Sequence, residues 1–405
     1  MVSQASPSVT PASSPDDAPV RSGPLAGIRV VEFVGLGPGP FCGMLLADLG
    51  ADVLRLDRAD TARKGFNGPS RNPMNRGKRS AALDLKSPDG IAVALRLIGE
   101  ADALIEPFRP GVMERLGLGP DVCLERNPKL VYGRLTGWGQ EGPLAKAAGH
   151  DIDYIALAGM LEPIGREGQP PSIPLNLVGD FGGGGLLLAY GLVSALLSAA
   201  RTGRGQVVDA AMIDGAAALG ATWFTMAASG GLGPRGTNLL DGGAPFYDVY
   251  ETADAKFVAV GSIEPHFWAE LLRRIGLADD PAFEKQYDRT AWPAMKARLA
   301  EVFATRTRDA WCELLEGTDS CFAPVLAPLE APGHPHHVAR GTFHDVDGLP
   351  EPAPAPRFGG TPAGIPARPV NPGPAADGGD TDAALAAWGL DTDEIGGLRA
   401  SGAVV

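Results

Sequence analysis

Val34-Gly-Leu-Gly-Pro-Gly-Pro-Phe-Cys-Gly43 joins two runs of different periodicity. Before it, Ile28-Arg-Val-Val-Glu-Phe33 is short and β-branched, the pattern of a buried strand. After it, Phe41-Cys-Gly-Met-Leu-Leu-Ala-Asp-Leu-Gly50 has helical spacing, and Ala51-Asp-Val-Leu-Arg-Leu-Asp57 reads as a second strand. Strand, glycine-rich turn, helix and a second strand ending in an acid make the outline of a dinucleotide-binding unit. The chemistry of the turn argues against that ligand. Gly35 and Gly37 stand at the required spacing, but Pro40 takes the place of the third glycine. Pro38 and Pro40 have no N–H, so two donors to a pyrophosphate are missing. With Pro40 near the first helical position, the turn makes a good start to a helix and a poor phosphate cradle.

The alternation continues downstream. Candidate strands are Ile28–Phe33, Val53–Asp57, Ala103–Glu106 and Leu130–Leu135, and the spacing predicts helices over Phe41–Leu49, Gly90–Gly99, Gly111–Leu116 and Leu186–Ala200. This pattern implies parallel strands with crossover helices, an α/β fold built on a large Rossmann-like parallel-sheet domain. Residues 206–229 read as a further strand and one long apolar helix. Then Phe246-Tyr-Asp-Val-Tyr-Glu251 and Lys256-Phe-Val-Ala-Val-Gly261 flank Thr252–Ala255 as a hairpin. Helices over Pro265–Ile275, Pro293–Thr305 and Arg308–Leu315 complete a smaller α+β domain. The expected boundaries are a disordered tail over 1–23, the large domain over 24–230 and the small domain over 231–335. Residues 336–405 are expected to return to the large domain and end in a Pro-, Ala- and Gly-rich tail that wraps over a surface.

Composition narrows the partners. The chain has 405 residues, 44% of them apolar and 20% charged, which is ordinary for a globular protein. A net charge of −13 argues against nucleic acid. No apolar run reaches the ~20 residues of a membrane span, Leu186 to Ala200 being the nearest. No basic-then-apolar leader opens the sequence. Cys42, Cys123, Cys312 and Cys321 are scattered and suit a reducing cytoplasm. One segment stands out: nine Lys or Arg lie between Arg55 and Lys86, against three Asp. Both a site for an anionic small ligand and a solvated charged loop fit that segment.

Three further stretches hold candidate chemistry. Gly149-His-Asp-Ile-Asp-Tyr154 contains the lone histidine of the α/β half, His150, at an expected helix start. Leu175-Asn-Leu-Val-Gly-Asp-Phe-Gly-Gly-Gly-Gly185 puts Asp180 at the mouth of an apolar helix, where the dipole favours its anion. In Gly261-Ser-Ile-Glu-Pro-His-Phe-Trp268, Glu264 precedes the first residue of a helix. Taken singly, each acid is an ordinary helix cap. His334-Pro-His-His337 has no cysteine or carboxylate at ligand spacing and does not read as a metal site. Nucleophile-elbow and Walker motifs are absent.

In this order and spacing the stretches resemble the alpha-methylacyl-CoA racemases of the class III CoA-transferase superfamily. The resemblance runs from Pro24 to about Phe358. It takes in Val31–Cys42, Asn75–Ser80, Leu83–Lys86, Glu106–Leu116, Leu135–Gln140, Ala148–Tyr154, Leu175–Gly184, Gly205–Ala210, Asp241–Tyr247 and Val260–Pro265. It implies that His150 and Asp180 are the catalytic pair, and that Glu264 reaches the histidine from a partner subunit. Arg58, Leu83, Asp84, Leu85, Lys86, Arg115, Gly149, Asp151, Ile152, Asp153 and Tyr154 match segments that hold CoA. An interlocked homodimer of large CoA-binding and small domains is implied, acting on a 2-methyl-branched acyl-CoA with no metal, redox cofactor, nucleic acid or membrane. The family usually has Asn where this chain has Asp153, which adds a negative charge three residues from His150.

The chemistry requires such a pair. Inverting the carbon beside a thioester means removing a weakly acidic α-proton from one face and returning one to the other. Two groups on separate segments must flank that carbon, and a backbone N–H near Asp151 suits the enolate oxygen. Apolar residues around Met160 and Leu161 are candidates for holding the acyl chain. The same fold also serves acyl-CoA:carboxylate CoA-transfer, in which Asp180 acts as nucleophile and the histidine is not needed.

Overall fold

A computed structural model of the chain describes residues 21–60, 72–364 and 381–405. Most of the expected N-terminal tail, together with Arg63, Lys64 and Arg71 of the basic segment, lies outside the described residues. Six parallel strands form the main sheet: β1 (Arg29–Phe33), β2 (Asp52–Arg58), β3 (Lys78–Leu83), β4 (Ala103–Glu106), β5 (Val131–Thr136) and β6 (Gln206–Ala211). Their order is β3-β2-β1-β4-β5-β6, with Val31 level with Leu54 on one side and Leu104 on the other. This is the Rossmann order, and its winding reverses between β1 and β4, so a crevice opens at their carboxyl ends.

Side chains alternate across the sheet. Val31, Phe33, Leu54, Leu56, Leu104 and Tyr132 pack on one face, and Val30, Val53, Ala103, Ile105 and Val131 on the other. The first face is covered by α2 (Pro88–Gly99) and α4 (Pro120–Arg126), and the second by α1 (Pro38–Asp48). Under α1 the second face turns polar. Lys78 Nζ lies 2.6 Å from Glu32 Oε2, both fully buried, and it also donates to the Pro40 carbonyl at 2.8 Å. Beside them Arg55 and Ser80 both reach Asp57, the hydroxyl at 2.7 Å. Gly43 makes room for this layer, since a Cβ there would lie 1.8 Å from Glu32 Oε2.

Several expectations need correction. Helix α1 begins at Pro38, three residues before the spacing predicts. Its prolines fall in the first turn, where N–H groups have no helical acceptor, so their missing donors leave the ladder intact. Strand β3 escapes a pattern reading because it opens on Lys78 and Arg79. Both charges find partners across the sheet, Arg79 at 3.1 Å from Asp52. The apolar segment after β6 is two helices, α7 (Met212–Leu219) and α8 (Ala221–Ala228). They break at Gly220, against which the Met160 sulfur is packed.

The expected helix over Leu186–Ala200 is longer than its apolar run. A π-helical stretch, Leu177–Leu186, leads into α6 (Leu187–Thr202). The 26 residues are long and apolar enough to cross a membrane by length and composition. Here Leu188, Leu192, Ala195 and Ala199 lie on the sheet, and Gly133 of β5 lets the two leucines approach.

The smaller unit pairs β7 (Tyr247–Glu251), β8 (Phe257–Gly261) and β9 (Phe322–Pro324) in an antiparallel sheet. Against it pack α9 (Pro265–Ile275), α10 (Trp292–Phe303) and α11 (Arg308–Leu315), around Trp268, Trp292 and Trp311. After it come α12 (Pro335–Arg340) and a hairpin of β10 (Phe343–Val346) and β11 (Leu349–Pro352). The expected Pro/Ala/Gly tail does more than wrap a surface. Helices α13 (Thr381–Ala387) and α14 (Thr392–Ser401) place Leu385, Trp388 and Ile395 in the first-face core. The chain then pairs with β3, Val405 N–H donating to Ala82 at 3.0 Å and Asp84 N–H to Ala403 at 2.8 Å.

Candidate active site

The turn before α5 (Asp151–Leu157) is clamped by aromatics. Trp138 and Tyr154 meet edge to face at 4.8 Å, and the Tyr154 hydroxyl donates to the Gly149 carbonyl. Gly149 lies between the rings; a Cβ there would come within 2.9 Å of both. His150 follows as the N-cap of α5, with its side chain exposed. Its backbone N–H donates to Asp153 Oδ2 at 2.9 Å, so the Asp153 carboxylate is engaged with the backbone at the helix start. Burial and the charge of Asp180 push the Tyr154 phenol up to about 12.

Asp180 comes from the π-helical stretch and arrives over the opening turn. Its Oδ2 lies 3.3 Å from where a Cβ on Gly37 would be, and Gly37 holds a left-handed φ of 62°. The glycines that follow let this stretch close on α1. A Cβ on Gly185 would lie 2.6 Å from the Pro38 oxygen, and one on Gly184 would lie 3.3 Å from Pro38 Cβ. The end of α1 that receives pyrophosphate in a dinucleotide site is therefore filled by protein, a carboxylate included. Asn176 Nδ2 donates to Asp180 Oδ2 at 3.1 Å, and the Asp180 N–H donates to Asp151 Oδ2 at 2.7 Å. Burial raises the Asp180 carboxyl above the usual range. The Asp151 charge adds to that rise, while the Asn176 hydrogen bond and His150 oppose it. His150 and Asp180 thus share one neighbourhood at the carboxyl edge of the sheet.

A second cluster lies farther along that edge. Arg58, Leu83, Asp84, Leu85 and Lys86 line a cavity of about 250 Å³ with Phe108, Val112 and Leu116. The Arg58 guanidinium stands 5.9 Å from the Phe108 ring centre. Arg115, on the short helix α3 (Val112–Arg115), is exposed and does not line that cavity. Phe108 is held from behind, its N–H donating to Glu106 Oε2 at 2.9 Å while Arg134 Nε donates to Oε1 at 2.9 Å. Burial pushes Glu106 up to about 7, with the Phe108 N–H and Arg134 pulling the other way. Sequence reasoning missed Phe108 and Asn176 as site residues. Asn176 was legible in principle, standing one helical turn before Asp180.

Glu264 caps α9 and is exposed. Among the described residues of one chain it makes no side-chain hydrogen bond or ion pair, with His150 or with any other group. Met160 lines a cavity of about 870 Å³ between the large and small units, with Val178, Trp223 and Phe322; Leu161 packs nearby without lining it. No cluster of three metal-ligating side chains occurs among the described residues. His334 lies 2.6 Å from Glu316.

Residues 25–381 match CoA-transferase family III. The chain belongs to that family. It is 48% identical over 373 residues to the alpha-methylacyl-CoA racemase of Mus musculus, covering 92% of this chain and 95% of the relative. With the racemase of Homo sapiens it shares 49% over 338 residues, covering 82% of this chain and 86% of the relative. Among solved structures, a CAIB/BAIF family protein from Brucella suis superposes with a TM-score of 0.75 at 27% identity. That match spans 90% of this chain and all of the other.

Proposed function

We propose that the chain is an alpha-methylacyl-CoA racemase, an isomerase that inverts the α-carbon of 2-methylacyl-CoA thioesters. The observation that carries this reading is the 2.7 Å hydrogen bond from the Asp180 N–H to Asp151, the residue after His150, which holds the start of α5 against the stretch that brings Asp180 over Gly37, with the Arg58–Lys86 cavity on the same edge. High identity to the mouse and human racemases supports it. One group takes the α-proton, the C–H electron pair becomes the C=C bond of an enolate as the carbonyl π pair moves onto the thioester oxygen, and the enolate then collapses as the other group returns a proton to the opposite face of the α-carbon. In the reverse direction the two exchange roles. A desolvated Asp180 with a raised pKa suits a carboxyl that must donate as well as accept. The Asp151 and Ile152 N–H groups, at the start of α5, have no acceptor among the described residues and suit the enolate oxygen.

The reaction changes no oxidation state and needs only these acid–base groups, so we assign it neither metal nor redox cofactor. CoA is part of the substrate. The cavity around Arg58 and Lys86 is suited to the CoA portion, and the apolar wall of Met160, Val178 and Trp223 to the acyl portion. In this reading Glu264 approaches His150 from a second copy, making the active form a homodimer. Four free cysteines suit a cytoplasmic setting.

The test is to incubate the protein with a 2-methylacyl-CoA in heavy water, with and without a free carboxylate, and follow the α-position by NMR. Deuterium incorporation and epimerisation without carboxylate are expected. CoA transfer seen only with carboxylate would instead assign Asp180 as a nucleophile and sink the racemase reading.

A further inference from the structure

The segments that carry His150 and Asp180 are joined by a side chain that neither proton-transfer role uses. Asp151 occupies the first position of α5, is only 6% exposed, and turns its carboxylate across to the π-helical stretch. Oδ2 accepts the Asp180 N–H at 2.7 Å. Oδ1 is buried and has no hydrogen-bond partner among the described residues. Gly179 makes the contact possible, since a Cβ there would lie 2.7 Å from Oδ2 and 3.0 Å from Cγ. On the other side of the stretch, Gly215 of α7 abuts it so closely that a Cβ would lie 1.9 Å from the Gly183 oxygen.

Resting on the racemase reading, we propose that the Asp151 carboxylate is a positioning residue that struts the Asp180 segment against the start of α5. It thereby sets the gap in which the α-carbon is deprotonated and reprotonated. His150 is the adjoining residue, so one carboxylate and one peptide N–H fix how far apart the two proton-transfer segments stand. A hydrogen bond to a charged acceptor is short and strong enough to do this. The strut is needed because Asp180 rides on a π-helical stretch with four successive glycines, Gly182–Gly185, where the backbone has unusual freedom. A buried carboxylate beside Asp180 also favours the acid form of Asp180, coupling the pair electrostatically as well as sterically. Of the groups on packed elements, His150, Asp151 and Tyr154 of α5 act on or respond to Asp180. Asp214 of α7 is exposed and acts on Asp209 instead. Arg109, beyond β4, acts on Tyr154.

The experiment compares α-proton exchange in wild type, Asp151→Ala, Asp151→Asn and Gly179→Ala across pH. It adds hydrogen–deuterium exchange of the Asp180 amide, which reads the contact without turnover. D151A and G179A should each lose kcat by about 100-fold, the scale of an ångström-level misplacement, while KM stays within about threefold. D151N keeps an oxygen that accepts the N–H, so its kcat should stay within about tenfold of wild type. For the enantiomer whose proton Asp180 removes, the acid limb of D151N should move to lower pH, because the neighbouring negative charge is gone. The Asp180 amide should be protected in wild type and D151N and unprotected in D151A. Wild-type kcat in D151A or G179A, an unmoved acid limb in D151N, or full amide protection in D151A overturns the proposal. If D151A does not fold, G179A and D151N still decide it. A wild type that leaves the α-proton in place refutes the racemase reading, and the amide protection then judges the strut by itself.

Discussion

Two glycine-rich segments meet at one edge of this sheet, and their glycines serve different neighbours. In Gly35–Gly43 the decisive residue is Gly43, which lets α1 settle over the buried Glu32–Lys78 pair. In Gly179–Gly185 the glycines let a helix approach Asp151, Gly215 and Pro38. The Gly35–Gly43 turn has the outline of a nucleotide site and touches none of the reacting groups except through Gly37. The Gly179–Gly185 stretch has the sequence of an ordinary capped helix and carries Asp180. Glycine spacing here reports what must pass close to the backbone, and the ligand has to be argued from the side chains.

The largest effect expected from breaking this arrangement is at His150. Replacing it with Ala should lower α-proton exchange by a factor of about 10²–10⁴, with CoA-thioester affinity retained by calorimetry. Activity near wild type would remove His150 from its assigned role. Next, Gly43→Ala should destabilise by about 3–5 kcal/mol, since a Cβ must displace a buried ion pair. Gly185→Ala, which crowds the Pro38 carbonyl and the Phe41 ring, should cost about 1–3 kcal/mol. Urea unfolding measures both, and the reverse ranking would break the comparison between the two segments.

A smaller effect should follow from Arg58→Ala. KM for the CoA thioester should rise about tenfold with kcat held within about twofold, as for a group that binds equally in ground and transition states. A loss confined to kcat would count against the cavity as the CoA site. The smallest is a pH effect at Glu106. Burial raises its carboxyl from 4.5 to about 7, so within that window the folded state binds more protons than the unfolded state. Stability from this group therefore falls as pH rises through the window. In Glu106→Gln the difference in Tm between about pH 5 and about pH 8 should narrow. It should not vanish, because burial also raises Asp180 and Asp209. An unchanged difference would show that Glu106 does not titrate there.

Much of this fold was legible because local pattern and tertiary role agree. The β-branched runs of β1, β2, β4 and β5 are strands within a residue or two of expectation, and α9 and α11 keep their predicted bounds. Strand β3 was hidden because Lys78 and Arg79 are satisfied by Glu32 and Asp52, partners that no window of sequence can show. Helices α13 and α14 were hidden by an alanine-, glycine- and aspartate-rich composition whose few large residues, Leu385, Trp388 and Ile395, are nonetheless core. At the site, His150 and Asp180 could be named from motif order. The Asp151 bridge and the Phe108 wall exist only once distant segments are folded together, whereas the Asn176 contact spans a single helical turn. Glu264 was also named from sequence, yet a single chain leaves it exposed.

The route of the chain through its cores has a kinetic consequence. The smaller unit draws its core from one continuous span, Ala244 to Leu315. The first-face core of the large sheet needs residues from Val31 through to Val404. Closing the large core means bringing far-separated segments together against loop entropy, whereas the small one closes on itself. Refolding should therefore order Trp268, Trp292 and Trp311 before Trp388, with the smaller unit formed first as a compact insert around which the large sheet completes itself.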